Sequence, residues 1–250
     1  MRIIKKIKQR GFFNLVFEIL NRIVPESILR CAVMDILELD VDSAIATQPS
    51  EEILVENIGA DEAKRKLLQQ ATWNSVPPSE LQKHYGYLAC LSGPAADKPD
   101  HLMCSDFVGG LWVATGEFPE TTLGFRLMFQ PRQAWIYAAY VDQAIRGKRI
   151  YQRTLAVTCK DLDQQGWNEI LVAVAPWNKA SRYVHEKHSK QKHGRIVAIR
   201  FLKFAAVFRM GNIEKSSTFT SDYIERPIKV SIQPDLKACD LSSRFGAGYE

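Results

Sequence analysis

The five cysteines of this 250-residue chain (Cys31, Cys90, Cys104, Cys159 and Cys239) are odd in number, widely spaced and never arranged as C-x-x-C. That spacing supplies neither a disulfide framework nor a zinc knuckle, and it points to a reducing, cytoplasmic setting. Long apolar runs are missing as well. The central stretch 134–141 (AWIYAAYV) falls far short of the ~20 residues that cross a bilayer, so no membrane-spanning segment is expected. Internal repeats and low-complexity tracts are absent, and 14 glycines and 11 prolines are too few for a collagen-like or linker-rich chain. What remains, 46% hydrophobic and 24% charged, is an ordinary globular composition. A chain of this length buries a full core unaided, as one large domain or one domain with appendages.

The net charge is +5, and residues 1–30 hold seven basic side chains against two acidic ones, an excess equal to that of the whole chain. The remainder is balanced apart from basic runs at 146–153 and 187–203. A protein that grips a long polyanion carries a broader basic surface, so no nucleic-acid partner is expected. Within the basic segment, Phe13, Val16, Phe17, Leu20 and Val24 recur at helical spacing, with Asn14, Glu18, Asn21 and Arg22 opposite and Pro25 ending the pattern. Three readings stay open for it: a helix docked on its own domain, a peripheral contact of residues 1–24 with an anionic membrane, or a signal peptide. Against the last, Asn14 and Glu18 interrupt the apolar region and no small-residue cleavage site follows.

Along the chain, 31–78 reads as an N-terminal extension or cap, with a short helix at 62–71 and a Pro-Pro loop at 76–79. Strand-like stretches follow at 85–91, 101–107 and 111–118, with Gly109-Gly110 expected to form a hairpin turn. Next come a buried strand at 134–141, a polar link through Arg146-Gly147-Lys148, and a helix over 150–165 stopped by Gly166. A second buried strand spans 169–175, and Asn178 is placed to cap a helix running to about His188. Residues 195–210 return to strand character, as two strands or one bent one, and periodicity is lost from Glu214 onward.

A strand that runs through a basic, glycine-containing turn into a helix makes an anion site, because the first amides of a helix are unpaired and its dipole adds positive charge. Arg146, Lys148 and Arg149 would add charge-assisted contacts, and the competing reading is a solvated basic loop.

The strand 134–141, the loop Arg146-Gly147-Lys148-Arg149-Ile150-Tyr151 and the later Asn178-Lys179-Ala180-Ser181 together resemble the GNAT-type N-acyltransferase superfamily. The resemblance spans about 79–210. It implies an α/β fold with a mixed, mostly antiparallel central sheet flanked by helices, a core at 79–213, an N-terminal helical extension at 1–30 and a partly irregular extension at 214–250. It also implies acetyl-CoA or another acyl-CoA as the acyl donor, held by Tyr140, Val141, Arg146, Gly147, Lys148, Arg149, Ile150, Tyr151, Asn178 and Ser181. The implied reaction is transfer to a small amine or amino-sugar acceptor by direct attack on the thioester.

Three positions depart from the family pattern. Arg149 stands where the loop [Q/R]-x-x-G-x-[G/A] has its glycine, and Tyr151 stands where it has its final Gly or Ala. His185 stands seven residues after Asn178, where the family often has a tyrosine that protonates the leaving thiolate; Tyr183 lies two positions earlier. Histidine can donate a proton near neutral pH, so His185 and Tyr183 are the candidate acids. Glu117 and Asp106 are the carboxylates placed to act as base. His185, His188 and His193 do not form H-E-x-x-H and have no nearby cysteine, so no metal is expected. The five tryptophans read as core or cleft walls. Because three typical positions differ at once, the alternative is a non-catalytic module of the same fold that binds a ligand or partner, at a membrane surface in one version.

Overall fold

The computed structural model describes residues 12–46, 53–72, 84–91 and 107–233. Its first part runs α1 (Phe12–Ile23), β1 (Leu29–Leu39), α2 (Val41–Ile45), β2 (Ile53–Asn57), α3 (Glu62–Ala71), β3 (Tyr85–Leu91), β4 (Phe107–Thr115), β5 (Glu117–Glu120) and β6 (Phe125–Met128). It continues with β7 (Gln133–Val141), α4 (Ile150–Gln164), β8 (Glu169–Val174), α5 (Lys179–Lys187), β9 (Ser189–Phe201), β10 (Phe204–Gly211), β11 (Ile213–Lys215), β12 (Phe219–Thr220) and β13 (Ile228–Ile232). The described residues fall into two compact units, one drawn from 1–35, 119–130 and 193–250 and the other from 36–118 and 131–192. Both are mixed α/β or β structure, and the larger has a mostly antiparallel sheet flanked by helices.

In the larger unit the strand order is β2-β3-β4-β7-β8, antiparallel throughout except for the parallel pair β7–β8. Period-two alternation sorts the side chains to the two faces. Leu111 and Val113 of β4 meet Leu155, Cys159 and Leu162 of α4 on one face. Trp112, between them in sequence, meets Leu68 of α3 on the other. The helix ends follow local chemistry. Asp61 caps α3 by accepting from the amides of Ala63 (3.0 Å) and Lys64 (3.1 Å), and Gly166 turns the chain after α4 at φ 88°. At the base of β9, the buried Glu38 accepts from Lys190 Nζ at 2.7 Å and from Gln191 Nε2 at 2.6 Å.

In the smaller unit β9 and β10 form a hairpin through Leu202, a residue held at φ 51°, and β12 pairs with β10. A second sheet joins β11 antiparallel to β13 and β13 parallel to β6, burying Ile213, Phe125, Leu127, Val230 and Ile232. The buried Arg200 gathers this unit's separate segments, donating to the carbonyls of Glu26, Ser27, Thr122 and Leu202. Asp35 and Arg195 form a two-pronged ion pair at 2.6 and 3.0 Å.

One expectation is overturned. Gly109-Gly110 is not a turn but lies inside β4, and the strand 101–107 falls outside the described residues except for Phe107, where β4 begins. The two glycines are there for close approach. A Cβ at Gly109 would lie 2.7 Å from the Tyr140 carbonyl oxygen, and one at Gly110 would lie 2.4 Å from that of Tyr87. Within the partly irregular extension from Glu214, the described residues include β12, β13 and most of β11, short strands that pair with distant segments. The 195–210 stretch resolves into two strands, and β1 occupies part of the expected N-terminal extension. Backbone cannot yield at Gly110 as a flexible side chain would, so Gly110→Ala is expected to lower unfolding stability by about 1–3 kcal/mol, read as a reduced urea midpoint.

Candidate functional site

The site is built where β7 and β8 separate. Their parallel register runs Gln133–Glu169, Ala134–Ile170, Trp135–Leu171 and Ile136–Val172, and there it stops, although β7 continues to Val141. Gln133 Nε2 donates to Glu169 Oε2 at 2.9 Å and fastens the closed end. Just past the last pair, the β4–β7 register slips between Gly110 and Trp112, and Ala138 takes φ 48°. This is a β-bulge, which bends a strand and strengthens its twist. It turns residues 137–141 of β7 away from β8 and leaves a gap between the two strands.

A cavity of about 760 Å³ occupies that part of the larger unit. β7 contributes Tyr137 to Val141, the loop contributes Arg146, Gly147 and Arg149, and the start of α4 contributes Ile150, Tyr151 and Gln152. Asn178, Ser181, Tyr183 and His185 reach it from the α5 side. Tyr140, Val141, Arg146, Gly147, Arg149, Ile150, Tyr151, Asn178 and Ser181, all named from the sequence as donor-binding, therefore line one cavity. Lys148 and Glu117 are not among the lining residues; Glu117 sits at the start of β5. Asp106 lies outside the described residues. Tyr183 is 70% exposed.

The loop reaches this wall through small local devices. Asp142 Oδ1 accepts from the Ala144 amide at 2.8 Å, closing a 3-10 turn at Gln143–Ile145, and Arg146 Nε donates back to the Val141 carbonyl at 3.3 Å. Gly147 takes φ 91°. Arg149 is the N-cap of α4 at φ 60° and ψ 19°, and its side chain makes no capping bond. The left-handed turn expected of a loop glycine is therefore made by an arginine, at a cost of about 1–2 kcal/mol for a residue with a Cβ. With no side-chain cap, the first-turn amides of α4 and the positive end of its dipole face the cavity that Ile150, Tyr151 and Gln152 line.

Opposite them, α5 is capped by Asn178, whose Oδ1 accepts from the Ser181 amide at 3.1 Å. One turn later the buried His185 presents Nδ1 to the Ser181 carbonyl at 2.8 Å. A carbonyl only accepts, so Nδ1 carries the proton and Nε2 is the bare nitrogen. Nε2 lies 2.7 Å from the Tyr151 hydroxyl, which donates to it. Burial holds the His185 imidazole below the ordinary histidine range and pushes the Tyr151 phenol up, so at neutral pH the imidazole is neutral and the phenol keeps its proton. His188, at the end of α5, is buried against Ser43, with Nδ1 3.0 Å from its Oγ, and is likewise held down by burial. Among the described residues no three His, Cys, Asp or Glu side chains gather to hold a metal ion.

Sequence reasoning missed Tyr137, Ala138 and Gln152 as cavity residues. Gln152 could have been found, since it follows from the three open amides of a helix start. Tyr137 hydrogen-bonds His84 and packs on Phe118 with ring centroids 4.4 Å apart, and neither contact has a local sequence signal. The alanine bulge has none either.

No protein-family model matches the sequence, and no curated protein matches it. Among solved structures, the chain is similar to a conserved protein of unknown function from Staphylococcus epidermidis, with 9% identity and a TM-score of 0.46. That match covers 74% of this chain and 66% of the other, just under two thirds of its length. A GCN5-related N-acetyltransferase-like protein from Streptococcus suis is 12% identical with a TM-score of 0.44, over 80% of this chain and 76% of that one. An aminoglycoside acetyltransferase from an uncultured soil metagenomic sample is 19% identical with a TM-score of 0.36, over 56% of this chain and 86% of that one. The chemistry therefore rests on this chain's own residues.

His185 and His188, both buried, give α5 a pH signature. Their native forms resist protonation while the unfolded chain takes up protons below pH ~6.5, so stability falls as pH drops through that window. Each histidine contributes a slope of at most about 1.4 kcal/mol per pH unit. Urea unfolding between pH 7.5 and 5.5 should show the loss, and a His185→Gln/His188→Gln variant should flatten it.

Proposed function

We propose that this protein is a GNAT-type, acyl-CoA-dependent N-acyltransferase acting on a small amine or amino sugar, in a cytoplasmic setting. The observation that carries the reading is the coincidence, on one cavity, of a strand edge freed by the β7–β8 parting and a helix start with no side-chain cap. The residues fit a coenzyme A group. The first amides of α4 with Arg146 and Arg149 match a diphosphate in charge and donors. The edge of Tyr137–Val141 has no ladder partner from β8 and would hold an amide-bearing arm. A volume of about 760 Å³ lies within the range of small-molecule sites, about 300–1,000 Å³.

When bound, an acyl thioester supplies the acyl group and a thiol leaving group. The chain's part is to position the reactants and handle a proton. His185 Nε2 is a neutral base whose tautomer is fixed by Ser181, and the Tyr151 hydroxyl donates to it where both residues line the cavity. The pair can give a proton to a leaving group from Tyr151 and accept one at His185 without a formal charge being buried beforehand. This makes Tyr151 the group that faces the reacting atoms and His185 its partner.

Calorimetric titration with coenzyme A and acetyl-CoA at two salt concentrations should give micromolar, salt-weakened binding. Absence of binding to both would sink the reading. Binding with no acyl transfer to any amine tried would leave the non-catalytic module in its place. Arg149→Gly should relieve the left-handed strain yet weaken coenzyme A binding about tenfold, the worth of a lost charge-assisted hydrogen bond. In turnover with a competent amine, Tyr151→Phe should lower kcat by about 10²-fold or more with little change in KM for the acyl donor.

A further inference from the structure

The β9–β10 hairpin of the smaller unit is apolar on both faces. One face is spent on the core, where Ile196, Ala198, Ala205 and Val207 are buried. The register puts a second apolar set on the opposite face, pairing Phe204 with Phe201, Ala206 with Ile199, and Phe208 with Val197. This set is not buried: Phe201 and Phe208 are each 49% exposed and Met210, next along β10, is 55% exposed. Phe219 of β12 sits beside Ala206, stacks on Phe204 with centroids 6.1 Å apart, and is 58% exposed.

The tip of the hairpin extends the patch. Leu202 donates its amide to the Ile28 carbonyl at 2.7 Å, and Tyr223 donates its amide to the Lys203 carbonyl at 3.0 Å. Three turns of the chain are thereby held together with Leu202, Ile28 and the 71% exposed Ile224 outward and Lys203 among them. Single exposed apolar side chains are ordinary, but a contiguous aromatic face of this kind marks a surface with a partner.

Charge selects the partner. The stretch 193–233, which carries β10, β12, the hairpin turn and Tyr223–Ile224, contains 7 Lys and Arg against 3 Asp and Glu, a net of +4. Two copies meeting through this face would bring like charges together, whereas an anionic surface is attracted to it. Aromatic and branched apolar groups set among basic ones are the composition of a bilayer-interface contact. We infer that the outer face and tip of the β9–β10 hairpin dock on the interface of an anionic lipid bilayer, with Phe201, Phe204, Phe208 and Phe219 entering the headgroup boundary. The inference is independent of the acyltransferase reading and needs no coenzyme A.

The test is co-sedimentation of the full chain with vesicles of phosphatidylcholine alone and of phosphatidylcholine and phosphatidylglycerol in equal parts. The expected result is binding to the anionic vesicles only, weakened by salt. A Phe204→Ser/Phe208→Ser/Phe219→Ser variant should bind at least about tenfold more weakly, because each phenylalanine left in water forfeits apolar transfer. These side chains are exposed, so the variant should keep the wild-type urea midpoint and, independently, the wild-type coenzyme A response. Failure of the wild type to bind anionic vesicles, or undiminished binding by the variant, overturns the inference. So does self-association of the wild type in sedimentation velocity that the variant abolishes, which would give the face to a second copy.

Discussion

The site depends on the brevity of one parallel strand pair. Parallel neighbours need a crossover, and here α4 supplies it, anchored on the sheet through Leu155, Cys159 and Leu162. That anchoring fixes where α4 begins, and its first turn opens at the level where β7 and β8 have already ceased to pair. Had the ladder continued past Ile136 and Val172, the amides of residues 137–141 would be satisfied by β8 and the cavity would be sheet. The bulge at Ala138 is therefore the constraint from which the rest follows. It costs the strain of an alanine at φ 48° and ends the pairing without ending the strand.

Two of the three departures from the family pattern are one feature. Tyr151, where a Gly or Ala is usual, and His185, where a Tyr is usual, are hydrogen-bonded to each other at 2.7 Å. A tyrosine on the loop side and a histidine on the α5 side place a phenol and an imidazole in the same cavity by exchanging which element carries the phenol. The third departure has its own account, since Arg149 adopts the left-handed conformation itself and brings a guanidinium to the cavity wall. The strain of Arg149 and the missing side-chain cap of α4 fall at the same residue. A helix end left open at a cavity wall is a local weakness in folding terms and a binding group in chemical ones.

Much of this was legible in the chain. The helices at 62–71, 150–164 and 179–187 and the strands at 133–141 and 169–174 show their periodicity, caps and breakers locally, so sequence and structure agree there to within a residue or two. The cavity wall was legible for the same reason, because strand, loop and helix start are contiguous in sequence. What was hidden is set by distant partners. Gly109-Gly110 has the composition of a turn, and only the backbone of Tyr140 and Tyr87 pressing against it makes it part of a strand. β11, β12 and β13 are two to five residues long, too short to show alternation, and exist because other strands accept them. The Tyr151–His185 bond spans 34 positions and has no local trace.

The same burial that prepares His185 also limits it. A neutral imidazole is a base only while it stays neutral, and desolvation secures that at neutral pH by holding its proton affinity down. Protonating Nε2 would leave the Tyr151 hydroxyl without its acceptor and a charge in a site with no carboxylate among the lining residues. His188 behaves in the same sense one turn further along, where its main chain also accepts the Asp40 amide at 2.7 Å and so ties the end of α5 to the start of α2. Acid therefore acts on the Tyr151–His185 pair and on folding through the same helix. Lowered pH removes the base and loosens the element that carries it, and the two effects have one sign because both follow from keeping α5's histidines dry.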